Sequence, residues 1–131
     1  MRRFLQHGAI MANNWKINNE HADLNRFKAY GKKHPRETEA CFTNLAKVFT
    51  ALNELENLAQ IKFGFFRAEG HGIWRIGQTG VPHAAETRLY VYLFFQGETI
   101  YPLTIGDKKQ QSDDLRRCAE IVKTIKRNLQ Q

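Results

Sequence analysis

The chain has 131 residues, 42% hydrophobic and 25% charged, with 20 Lys+Arg against 13 Asp+Glu. That length bounds it to one domain with a real core, and the hydrophobic fraction excludes an intrinsically disordered chain. The net charge of +7 favours phosphate-rich partners, through counterion release and faster encounter.

Residues 1–20 are polar and rich in asparagine (Asn13, Asn14, Asn18, Asn19) and are expected to form a loosely ordered extension, with one short strand around Trp15-Lys16-Ile17. Met11-Ala12 reads as an alternative start. The basic N-terminus is not followed by the apolar run of a signal peptide. No apolar stretch approaches the roughly 18 residues that span a bilayer. Cys41 and Cys118 have neither metal-ligand spacing nor a disulfide framework and are expected to be reduced, buried, small apolar residues in a cytoplasmic protein.

From Asp23 to about Lys33 the pattern Leu24, Phe27, Ala29-Tyr30 predicts a short helix, which His34-Pro35 breaks. Pro35 then suits the first turn of the next helix. There Cys41, Leu45, Val48, Phe49, Leu52 and Leu55 recur at steps of three and four and form one apolar stripe. After Asn57 the texture turns aromatic and glycine-rich. Phe63-Gly64-Phe65-Phe66 and Gly70-His71-Gly72-Ile73-Trp74-Arg75-Ile76-Gly77 read as strands cut by turns, with Trp74 and Ile76 on one face and Ile73 and Arg75 on the other.

Arg88 to Phe95 and Thr99 to Ile105 flank a Gln96-Gly97 turn and read as an antiparallel hairpin. Leu89, Val91 and Leu93 face one side, expected to bury against the helical hairpin. Arg88, Tyr90, Tyr92 and Phe94 face the other. The second strand ends in the basic loop Gly106-Asp107-Lys108-Lys109 and opens into the last helix, where Ser112 can cap and Asp113 and Asp114 sit in the positive first turn. Leu115, Cys118, Ile121 or Val122, Ile125 and Leu129 form its buried stripe. Arg116, Arg117, Lys123, Lys126 and Arg127 read as a solvated face. The expected architecture is α+β: an N-terminal helical hairpin on a small twisted antiparallel sheet, with a closing C-terminal helix. Cations at the mouth of a sheet suit a polyanion, RNA first.

This order, with the strands Gly72-Ile73-Trp74-Arg75-Ile76 and Arg88-Leu89-Tyr90-Val91-Tyr92 and the junction from Gly106 to Leu115, resembles the RelE/ParE superfamily of bacterial type II toxins. HigB-like and phage-derived members look closest. The resemblance covers roughly residues 23 to 128 and makes residues 21–131 a single toxin domain. It implies a small basic toxin held inactive by a cognate antitoxin in a hetero-oligomer. RelE- and HigB-like members cut mRNA in the ribosomal A site, beside 16S rRNA, without a metal or cofactor. ParE-like members share the fold and inhibit DNA gyrase, and a degenerate member would only bind RNA or protein.

Cleavage by the RNA 2′-hydroxyl needs a base, an acid and cations on the equatorial oxygens. Arg75 and Arg88, on adjacent strands and expected to point outward, suit a phosphate clamp. Lys108 and Lys109 sit at a helix N-terminus, whose amides add positive potential. Arg88 and Lys108 match family positions of phosphate stabilisation, and Arg75 lies on the strand that carries the family's basic residues. Several RelE-like toxins place a Tyr or His soon after the basic loop, whereas Gln110 to Asp114 offers neither. His71 is the nearest histidine by strand position and is a catalytic candidate. Tyr90 and Tyr92 are candidates for base stacking, and Lys109 and Gln110 for RNA contact. Asp113 or Asp114 could serve as a base, but helix capping is the preferred role. No side-chain spacing suggests a metal site.

Overall fold

A computed structural model describes residues 13–55 and 57–130 and the strands Arg3–Phe4 (β1) and Ile10–Met11 (β2), which pair antiparallel. The fold is α+β. Strand β3 (Lys16–Ile17) is followed by helices α1 (Leu24–Lys33) and α2 (Pro35–Glu54). Strands β4 (Phe66–Gly70), β5 (Ile73–Gly77), β6 (Thr87–Phe94) and β7 (Thr99–Asp107) come next, and helix α3 (Gln111–Leu129) closes the chain. The main sheet has the order β3-β7-β6-β5-β4.

The expected antiparallel sheet is in fact mixed, because β3 pairs parallel to β7, Lys16 opposite Thr99. The outer edge of β7 needs hydrogen-bond partners. Lys16 N donates to the Glu98 carbonyl at 2.9 Å and Asn18 N to that of Ile100 at 2.9 Å. Residues 13–17, expected in a loose extension, are therefore tied down. Asn13 also donates to the carbonyls of Leu52 and Leu55, and Trp15 is buried. Most of the rest of that expected extension, residues 1–12, lies outside the described residues.

One sheet face carries α2. Cys41, Leu45, Val48 and Leu52 pack with Ile76, Leu89, Val91, Leu93 and Ile100, and each fully buried aliphatic side chain contributes about 1.5–3 kcal/mol. Asp23 caps α1, its carboxylate accepting from Arg26 N at 3.4 Å, and Pro35 occupies the first turn of α2. Strand β4 starts at Phe66 rather than Phe63, because Gly64 and Phe65 form a turn.

The other face is not left open. Helix α3 lays Cys118, Ile121, Val122 and Ile125 on Ile73, Tyr90, Tyr92, Tyr101 and Leu103. Tyr90 is 0% and Tyr92 6% exposed, so neither ring is available to stack on a base while α3 stays in place. The α3 stripe ends at Ile125, and Leu129 is exposed. Ser112 does not cap the helix. Strand β7 runs straight into a 3-10 turn over Lys108–Gln110, closed by the Asp107 carboxylate on Gln110 N at 3.2 Å, and α3 is already helical at Gln111.

Cys41 and Cys118 are free and buried, on opposite faces of the sheet. Burial pushes both thiols up to about 12. Ellman's reagent is therefore expected to leave both unmodified in native buffer and to titrate both in denaturant, since the thiolate is the reacting form. Fast labelling of either thiol in the native protein would contradict this packing.

Candidate functional site

Helix α3 covers only one end of its sheet face. At the other end Gly64, Phe65, Arg67, Arg75, Gly77, Gln78, Glu86, Thr87 and Arg88 line a cleft of about 370 Å³. The strand register explains the convergence. Arg75 lies opposite Arg67 on one side and Tyr90 on the other, and Arg88 lies opposite Gly77. Arg67, Arg75 and Arg88 thus share one face of three consecutive strands. Like charges directly opposite each other are unfavourable, and two carboxylates offset them. Glu69 holds Arg75 at 3.3 Å, and Glu86 Oε2 lies 3.7 Å from both Arg88 Nη2 and Lys108 Nζ.

Four cations therefore face two carboxylates. The Arg88 side chain is only 10% exposed, yet its acidic partner Glu86 is loose and 60% exposed. A nearly buried guanidinium in a single long ion pair can bind a second anion, and its planar donors suit two oxygens of one phosphate.

The backbone at the cleft rim is held tightly. Gln78 Nε2 donates to the Ala85 carbonyl at 2.7 Å, and Gln78 Oε1 accepts from Thr87 N at 2.7 Å. Lys108 N donates to the Glu86 carbonyl at 3.0 Å. Tyr30 and Thr87 share a hydroxyl hydrogen bond of 2.7 Å. Glu86 thus stands on a clamped backbone, with its side chain 60% exposed.

The start of α3 is anchored beside the cleft by an ion pair whose carboxylate is buried. Asp114 Oδ1 accepts from Arg26 Nη1 at 2.8 Å, and Arg26 also donates to the Ile105 carbonyl at 3.2 Å. The second Asp114 oxygen rests on Gly106, where an added Cβ would come within 2.0 Å of it. Glycine is required there for close approach rather than for its backbone conformation. Burial pushes the Asp114 carboxyl up, against the lowering influence of Arg26. Burial also pushes the Tyr90 hydroxyl up, reinforced by the Asp114 charge and opposed by Arg88.

Compared with protein-family models, curated proteins and solved structures, the chain matches none.

Of the residues singled out in the sequence, Arg75 and Arg88 meet in the cleft, and Lys108 reaches its edge through Glu86. Lys109 and Gln110 are exposed on the turn beyond. His71 is not brought to the arginines. It occupies the β4–β5 turn with φ 56° and lines a separate depression with Ile73, Leu115, Val122 and Lys126. It stands in the turn before β5, whereas Arg75 lies within that strand. Tyr90 and Tyr92 lie under α3, as described. Asp113 pairs with Arg116 on the surface and Asp114 is the buried anchor, so neither faces the cleft.

Arg67, Glu69 and Glu86 were not singled out. Arg67 was not legible from the turn alone: counting back from Gly70-His71-Gly72 sets Ala68 opposite Arg75, and the bulge between Ala68 and Gly70 moves Arg67 there instead. Among the described residues, no group of three His, Cys, Asp or Glu gathers as a metal site requires.

Proposed function

We propose that the chain is the toxin of a type II toxin–antitoxin pair, a ribosome-dependent endonuclease that takes the scissile phosphate of mRNA in the arginine cleft. The observation that carries this reading is the convergence of Arg67, Arg75 and Arg88 at the uncovered end of one sheet face, with Lys108 at the edge. Preorganised cations aimed at a pentavalent phosphorane stabilise the charge that develops there, and no metal is needed for that role. The strand–basic turn–helix junction, the α+β layout and the net positive charge support assignment to the RelE/ParE toxins. On this reading the partners are mRNA in the ribosomal A site, 16S rRNA and a cognate antitoxin, and the protein works in the cytoplasm.

A second reading, a ParE-like inhibitor of DNA gyrase, is favoured by one observation. Among the described residues, neither a histidine nor a tyrosine lines the cleft. Brief induced expression followed by transcriptome-wide mapping of RNA 5′ ends separates the two. New ends in phase with codons are the expected result. An SOS response without new ends would overturn it in favour of gyrase, and neither effect would leave a binding protein without toxin activity.

A further inference from the structure

We propose that Glu86 is the general base of the cleft, an inference that rests on the nuclease reading above. Its side chain is 60% exposed, lines the cleft, and places Oε2 at 3.7 Å from both Arg88 Nη2 and Lys108 Nζ. A phosphate held by those two cations must therefore sit beside this carboxylate. The other acid near the arginines, Glu69, has a side chain only 13% exposed and is engaged with Arg75. The histidine and tyrosines that could move a proton lie elsewhere or under α3.

The supporting shell fits the role. Gln78 clamps Ala85 and Thr87 on either side of Glu86, and the Glu86 carbonyl accepts from Lys108 N. A catalytic group needs a fixed backbone beneath it, and the carboxylate above is 60% exposed and open to substrate.

The step is a transesterification. Glu86 takes the proton of the 2′-hydroxyl, and the 2′-oxygen forms a bond to the adjacent phosphorus. The bond from phosphorus to the 5′-oxygen breaks, and that oxygen takes a proton from water. The products are a 2′,3′-cyclic phosphate and a 5′-hydroxyl. Glu86 returns its proton to solvent, and nothing is oxidised or reduced. Arg75, Arg88 and Lys108 hold the non-bridging oxygens throughout.

The test uses the full chain made by cell-free synthesis, with ribosomes programmed by an mRNA carrying every sense codon. Single-turnover rates at the wild-type cut sites are followed against pH, and RNA affinity is measured in parallel. Glu86→Gln is expected to slow cleavage by about 10²–10⁴-fold, with RNA affinity changed by less than about threefold. A base must be deprotonated to act, so the wild-type rate should rise with pH and level off. Glu86→Gln should lose that acid limb, and Glu86→Asp should keep it with an intermediate rate. Cleavage by Glu86→Gln at near wild-type rate, with the acid limb intact, overturns the base and leaves the nuclease reading standing. An equal loss in Glu86→Gln and Glu86→Asp, with weakened RNA binding, overturns it in favour of a structural ion pair. No cleavage by the wild-type protein at all overturns the nuclease reading itself.

Discussion

Alanine at Arg88 is expected to cut the rate of RNA cleavage by about 10²–10³-fold, the usual cost of removing one preorganised donor from a developing oxyanion. The fold should survive. Among the described residues Arg88's ionic partner is Glu86, at 3.7 Å, and a loose pair with an exposed carboxylate contributes little to stability. The lost packing of the buried stem should lower stability by about 1–2 kcal/mol, visible as a modest drop in melting temperature. Arg88→Lys keeps the charge but not the planar pair of donors, so it should recover only part of the rate. Arg75→Ala is expected to behave alike, with the difference that it leaves Glu69 without its cation. Cleavage by Arg88→Ala at more than about a third of the wild-type rate would remove the arginine from the phosphate site.

The second large effect concerns the ion pair that seats α3. Asp114 is 1% exposed, and its counter-ion Arg26 reaches it from α1 at 2.8 Å. Removing Arg26 leaves a buried carboxylate without its cation, which typically costs 3–5 kcal/mol in such pairs. The Arg26 side chain is 36% exposed and water screens part of the interaction, so Arg26→Ala should lose about 2–4 kcal/mol.

The sign of the pH dependence follows from the direction of the Asp114 shift. Its carboxyl titrates above the ordinary value of 3.8 in the folded chain, so the folded state holds the proton more tightly than the unfolded one. The penalty from this group is absent below that ordinary value and grows as pH rises through the folded value. Without Arg26 the carboxyl moves further up. The deficit of Arg26→Ala should therefore be full at neutral pH and fade on acidification toward 3.8. Asp114→Asn in the same background should restore much of the loss at neutral pH. Chemical denaturation of the three proteins across pH measures this, and a deficit independent of pH would show that Arg26 acts through packing instead.

Much of the frame was legible from periodicity alone. The stripe Cys41, Leu45, Val48, Leu52 marked α2, and the alternation of Leu89, Val91 and Leu93 marked the face beneath it, because side-chain spacing reports directly which face is apolar. The fate of the opposite face was harder to see. Arg88, Tyr90 and Tyr92 alternate as an open aromatic face would, and alternation alone does not say what covers it. The apolar stripe of α3 decides it. With one sheet and its first face occupied by α2, Cys118, Ile121 and Ile125 had only the tyrosine face left.

The cleft was half legible for the same reason. Arg75 and Arg88 were placed by strand direction, whereas Arg67 needed the β4–β5 register, which shifts by a bulge between Ala68 and Gly70. Glu86 lies in an irregular loop just before β6. Its position depends on Gln78 and Lys108, contacts far along the chain that no local pattern encodes. Asp114 read as a helix-capping acid because its place in the first turn is local. Its pairing with Arg26 is tertiary.

The chemistry of the cut ends tests the central claim most directly. RNA cleaved by the wild-type protein on programmed ribosomes should carry a 2′,3′-cyclic phosphate on one fragment and a 5′-hydroxyl on the other, as attack by the 2′-oxygen demands. Fragments with a 5′-phosphate, or intact mRNA after prolonged incubation, would contradict it.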